Sequence, residues 1–130
     1  MPYHVIHAAG HAWAERPGVA GQEPRRLSDV TTAAGLTQSR ARVWRIPPHV
    51  RGSRHFEKVQ EEVFVVISGT LTMLLGDPPD RVDLAPCSVV SVEPGTPLQM
   101  RNETDEEIVV FAYGAPPVTG QAEHLGDIEL

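Results

Sequence analysis

His55, Glu57 and Glu62 are the residues of this 130-residue chain whose types and spacing could do chemistry. They sit in HVRGSRHFEKVQEEVFVVISG, residues 49–69, ahead of an apolar run from Val63 to Ile67 and a turn glycine, Gly69. Alternate residues of a strand point to one face, so His55 and Glu57 can project together, and Glu62, opening the next strand, could meet them. An imidazole and two carboxylates on one spot make a metal site or an acid/base pocket. The set is oxygen-rich, which favours Mn²⁺, Fe²⁺ or Mg²⁺ over copper and is compatible with zinc. With a cation bound, both carboxylates are ionised and neutralised. Without one, two buried carboxylates repel, and one holds a proton at a raised pKa, which gives a general acid/base pair beside His55. The bland alternative has Glu57 pointing to solvent.

The elements that must position these residues are short strands. From Gly35 onward, β-forming runs alternate with Gly/Pro turns: strands are expected over Thr37–Ile46, Glu62–Ile67, Thr70–Leu75, Arg81–Leu84, Ser88–Val92, Leu98–Asn102 and Glu107–Tyr113. Ser68-Gly69 reads as a tight hairpin between the second and third of these. Many short strands at regular spacing, with no sustained helical period, indicate an antiparallel barrel or jelly roll. Residues 1–34 are weakly patterned and broken by glycine and proline. They are expected to be a polar arm on or near the barrel, with a short strand at Val5-Ile6. His4, His7 and His11 have the spacing of a metal clip on a helix, but chain ends are commonly mobile. The barrel is expected over 35–117, and the tail 118–130 is expected to run over the surface.

Composition narrows the classes of function. One domain is expected at this length, large enough for a core without disulfides. The single cysteine, Cys87, can form no internal disulfide and fits a reducing, cytoplasmic setting. Seventeen acidic residues against eleven basic give a net charge of −6, which argues against nucleic acid as the partner. No stretch reaches the roughly 20 apolar residues of a membrane span, and the first residues lack the basic and apolar regions of a secretory signal.

Two spacings then stand out. The first is His49-x5-His55-x-Glu57-x4-Glu62-x6-Gly69. The second is Cys87-x5-Glu93-x-Gly95-x2-Leu98-x3-Asn102. Together they resemble the paired motifs of the cupin family, G-x5-H-x-H-x(3,4)-E-x6-G and G-x5-P-x-G-x2-H-x3-N. His55, Glu62, Gly69, Gly95 and Asn102 match by type, whereas His49, Glu57, Cys87, Glu93 and Leu98 depart. The resemblance covers about Thr37 to Pro117, with the short gap between motifs of compact single-domain bacterial cupins. It implies an all-β double-stranded β-helix, the cupin-type jelly-roll barrel, and adds weight to a homodimer.

The resemblance also implies a four-ligand metal site, of which His55 and Glu62 remain. Glu57 replaces an imidazole, and Leu98, which cannot bind a cation, stands for the second-motif histidine. The expectation is therefore an incomplete set, His55, Glu57 and Glu62, with no tightly held metal. One divalent Mn, Fe or Zn is the alternative. Phe64, Leu98 and Met100, with Arg42 and Trp44, are candidate walls of a ligand pocket. Arg40, Arg42 and Trp44 share one strand face, which usual burial preferences would put on the outside of the sheet. His49 could swing in as a substitute ligand. Cys87 has no base or cation beside it and reads as inert. Glu103, Asp105, Glu106 and Glu107 read as a solvated turn. No residue is assigned as catalytic. Three functions follow: a binder of an unknown small molecule with a degenerate metal site; a metal-dependent enzyme of isomerase, cyclase or dioxygenase class; and an interaction protein without a ligand.

Overall fold

The computed structural model describes residues 2–19, 21–117 and 122–128. The strands are β1 (Trp13–Arg16), β2 (Arg25–Asp29), β3 (Arg40–Ile46), β4 (His55–Glu57), β5 (Glu61–Ser68), β6 (Leu71–Leu75), β7 (Asp80–Leu84), β8 (Val89–Val92), β9 (Leu98–Arg101), β10 (Ile108–Ala115) and β11 (Ala122–His124). They form two antiparallel sheets in the orders β1-β2-β3-β10-β5-β8 and β11-β4-β9-β6-β7. Sheets of this kind with one polar and one apolar face must bury the apolar faces against each other. The barrel expected from the strand spacing is the observed fold.

Period-two alternation decides what faces inward. On β5, Glu62, Phe64 and Val66 are buried while Val63 and Val65 are half-exposed. Register carries that choice across the sheet: Val66 and Trp44 both pair with Val110, while Phe64 and Arg42 both pair with Ala112. Ile46, Val66, Leu71, Met73, Ile108 and Val110, each at most 1 % exposed, close one end of the barrel. The other end carries polar rows instead, because Arg40 and Glu62 flank Gly114. On the facing sheet, His55 stands between Leu98 on β9 and His124 on β11.

Two parts of the chain differ from the sequence reading. Ser68-Gly69 does not close a hairpin: β5 pairs with β10 and β8, β6 pairs with β9 and β7, and the turn carries the chain from one sheet to the other. Gly69 has φ +79, and a Cβ there would overlap the Ile108 side chain and crowd the Glu107 carbonyl, so glycine is required by both conformation and space. The N-terminal region is not a loose arm. β1 and β2 extend the six-stranded sheet from β3, and Leu27 joins the core. Val5-Ile6 is not a strand, and His7 only precedes a 3-10 turn, Ala8–Gly10. The short helix α1 (Val30–Ala33) is capped by Asp29, whose carboxylate accepts from Thr32 N, and Thr31 Oγ1 bridges to Ala41.

The tail does not simply skirt the surface either. β11 pairs with β4, and beyond it Asp127 accepts from Gln99 Nε2 at 2.7 Å and from Arg51 Nε at 2.7 Å. The Arg101 guanidinium reaches the Ile128 carbonyl and Asp127. These bonds satisfy Gln99 and Arg101, which are otherwise buried on the outer side of the sheet.

Candidate functional site

A cavity of about 320 Å³ opens at the polar end, between the two sheets. His55 and Glu57 reach it from β4 and Glu62 from β5, as the strand period requires. One ligand atom from each lies within 4.8 Å of the others. Glu57 and Glu62 are 6 % and 3 % exposed, so Glu57 does not point to solvent. His55 Nδ1 lies 3.1 Å from the Ser53 carbonyl. A carbonyl only accepts, so this bond puts the proton on Nδ1 and leaves the Nε2 lone pair facing Glu57 Oε1, 3.8 Å away. A backbone bond that fixes the ring in this way is the usual support of a metal-binding imidazole. Gly95 N donates to the Glu57 carbonyl at 2.7 Å and pins the end of β4.

Burial sets the charge states. Desolvation, reinforced by the neighbouring Glu57 carboxylate, raises the Glu62 pKa to about 7. Arg42 opposes this from 3.9 Å, too far for a hydrogen bond, so desolvation prevails. Burial, together with the charge of Arg40, lowers Arg42 to about 10, which still leaves it protonated at neutral pH. Burial also lowers His55 below its usual value. His55 and Glu57 are therefore not an ion pair at neutral pH. Glu62 Oε1 is buried without a hydrogen-bond partner among the described residues. An orphaned carboxylate oxygen beside a second carboxylate and an imidazole lone pair is a donor set that fits a divalent cation.

Arg42, Trp44, Phe64, Leu98 and Met100 all line the cavity. Arg40, Arg42 and Trp44 thus face inward, contrary to the expectation of an outer face. The mouth is polar and Arg42 has Glu62 beside it, so the usual penalty for burying arginine is partly relieved. The Arg25 guanidinium lies 4.6 Å over the Trp44 ring, and Arg42 lies 5.6 Å from it. Leu98, 1 % exposed, is packed into the core beside His55. His49 is turned to the surface against Asp105 at 2.7 Å, with a side chain 63 % exposed, so it is no substitute ligand. Cys87 is exposed at a turn with φ +73. The motif asparagine is structural: Asn102 Nδ2 reaches the carbonyls of Ile46, Pro47 and Glu106, and its Oδ1 accepts from Thr104.

The cupin-domain family profile matches residues 42–113, more than half of the chain. The chain is a cupin. Solved structures of similar shape include a putative sugar phosphate isomerase from Acidithiobacillus ferrooxidans (TM-score 0.76, 17 % identity, 97 % of this chain and 95 % of that one). The polyketide cyclase RemF from Streptomyces resistomycificus is comparable (TM-score 0.75, 14 % identity, 96 % and 87 %). A sugar phosphate isomerase of the cupin superfamily from Silicibacter pomeroyi is more similar in sequence (20 % identity, TM-score 0.68, 81 % and 72 %). At such identities the likeness carries the fold alone. No curated protein matches by sequence.

Arg16, Arg25 and His124 also line the cavity of this cupin and were not legible in the sequence. Arg25 belongs to a strand with one core residue, Leu27, and His124 to a strand with no buried residue. Only register against β3 and β4 places them. The cluster His55, Glu57 and Glu62 could hold a metal, and no helix among the described residues is long and apolar enough to cross a membrane.

Proposed function

We propose that this cupin binds a small organic molecule in the barrel mouth, beside a divalent cation held by His55, Glu57 and Glu62. The observation that carries this reading is the orphaned Glu62 Oε1, in a three-residue donor cluster that opens onto a cavity of about 320 Å³. That volume suits one small ligand. A bound cation would act as a Lewis acid on a ligand oxygen. The protein's own parts are orientation and shielding. Ser53 fixes the His55 tautomer, Arg42 steadies Glu62, and Phe64 from one sheet with Leu98 and Met100 from the other supply the apolar part of the lining. For this one-imidazole, two-carboxylate set, Mn, Fe and Zn are the candidates.

A second reading is an enzyme of isomerase, cyclase or dioxygenase class. It is favoured by the Glu62 carboxyl, whose pKa of about 7 suits proton exchange at neutral pH. The named activities of the similar structures lean the same way. A reducing, cytoplasmic setting agrees with the single cysteine. A homodimer is supported by the outward row of Val63, Val65, Ile67, Val89 and Tyr113, of which Ile67, Val89 and Tyr113 are markedly exposed. Light scattering tests that association.

Metal analysis tests the main reading. Protein purified after growth with Fe, Mn and Zn supplied should carry a metal that is absent from Glu62→Ala. Less than about a tenth of an equivalent in the wild type would remove the cation from the proposal, because a preformed site retains its ion.

A further inference from the structure

We propose that the ligand of this cavity carries an anionic oxygen group, a carboxylate or a phosphate, and that Arg25, stacked on Trp44, receives it. This rests on the reading of the cavity as a small-molecule site and names the class of molecule. It starts from a charge imbalance. Arg16, Arg25, Arg40 and Arg42 line the cavity against two carboxylates, Glu57 and Glu62, on a chain whose net charge is −6. Cations gathered in a concave site of an acidic protein focus its field on an anion. A divalent cation at the two carboxylates would deepen the excess.

Arg25 is the group left waiting. Arg42 has Glu62 beside it, but among the described residues no carboxylate lies within salt-bridge distance of Arg25. Its Nε is buried and has no hydrogen-bond partner among the described residues. Leaving a buried charged donor unmatched is costly. Burial and the nearby Arg16 both work against its charge. The side chain is nonetheless held in place. Its guanidinium lies over the Trp44 ring at 4.6 Å, and Gly52 makes room for it, since a Cβ there would come within 2.9 Å of Arg25 Nη1. Stacking occupies a face of the guanidinium and leaves its edge of donors for a planar or tetrahedral oxyanion. Arg16, exposed near the rim, and Arg40, half-buried, add long-range attraction.

Calorimetric titration at low ionic strength tests this, with inorganic phosphate, malonate, glycerol phosphate and glycerol as probes. Binding of glycerol phosphate or malonate, but not of glycerol, is expected, and it should weaken as salt rises. Phosphates binding without malonate, or the reverse, assigns the group. Arg25→Gln should lose about tenfold or more in affinity. Gly52→Ala keeps every charge and should also weaken binding, which covers the case in which Arg25→Gln fails to fold. Arg81→Gln, on the surface beside Asp83, should change nothing. Glycerol binding as tightly as glycerol phosphate, no probe binding at millimolar concentration, or unchanged affinity in both cavity variants would overturn the inference. A parallel Mn²⁺ titration separates the two readings: metal binding without anion binding removes only this one, and anion binding without metal removes only the cation.

Discussion

His124 stands directly opposite His55 across the β4–β11 pair, with ring centroids 5.8 Å apart, on the flank of β4 away from Leu98. His55 thus has Leu98 on its β9 side and an imidazole, His124, on its β11 side. After burial, which is the main cause, His124 is one of the groups that hold the His55 pKa down. His124→Ala should therefore move His55 part of the way back towards its ordinary value, since burial remains. An NMR titration of the His55 ring proton reads this directly; an unchanged or lower pKa would show that the two rings do not sense each other.

Glu62 gives the fold a pH dependence of known sign. Its folded pKa, about 7, lies above its unfolded value of 4.5, so its contribution is full below 4.5 and is lost as pH rises through 7. The cost at pH 8 approaches about 3 kcal/mol as an upper bound. His55 opposes it. Its folded pKa is lowered, so its contribution is present above about 6.5 and declines as pH falls. Denaturant unfolding of wild type and Glu62→Gln between pH 4 and 8 isolates the carboxyl: the variant should gain on the wild type as pH rises. Added Mn²⁺ should reverse that trend if the cluster binds it.

Gly69 and Gly95 both have φ near +80, but only Gly69 faces another chain segment closely. A Cβ at Gly95 meets nothing within 4 Å, so Gly95→Ala should cost about 1 kcal/mol, the backbone strain alone. Gly69→Ala adds a clash with Ile108 and should cost several times as much, about 3 kcal/mol or more. Equal unfolding midpoints for the two variants would count against the tight crossing between the sheets.

Asp127 ties the chain end to the outer side of the β9 sheet through Gln99, Arg51 and Arg101. Asp127→Ala should cost about 1–3 kcal/mol, since it strips partners from a buried arginine and a buried amide. Hydrogen exchange should quicken at residues 122–128 and at β4 before it does in β5 or β10. Uniform exchange throughout would mean that this end folds with the core.

Much of the barrel was readable because its strands alternate and its turns carry glycine and proline. The stretches read from Glu62 to Tyr113 correspond to β5 through β10 within a residue or two. The His55, Glu57 and Glu62 cluster was readable for the same reason, since a period of two puts His55 and Glu57 on one face. β2 and β11 were not, because RRLSD has one core residue and AEH has none, and their order comes from neighbours distant in sequence. Ser68-Gly69 misled because a glycine at positive φ serves a sheet-to-sheet crossing as well as a hairpin. The inward turn of Arg42 ran against the usual exposure of arginine, and the polar mouth and the facing Glu62 account for it.

The cavity wall draws on both ends of the chain. Arg16 and Arg25 come from β1 and β2, His124 from β11, and all three lie outside the stretch 42–113 that carries the family pattern and the His55, Glu57 and Glu62 cluster. The cluster proposed to hold a cation thus lies in the central stretch, while the cavity wall is shared between that stretch and the terminal strands. Mutation in the terminal strands can reshape part of the cavity wall while the cluster stays fixed, and a fragment trimmed to the family boundaries would keep the cluster but lose Arg16, Arg25 and His124 from the wall.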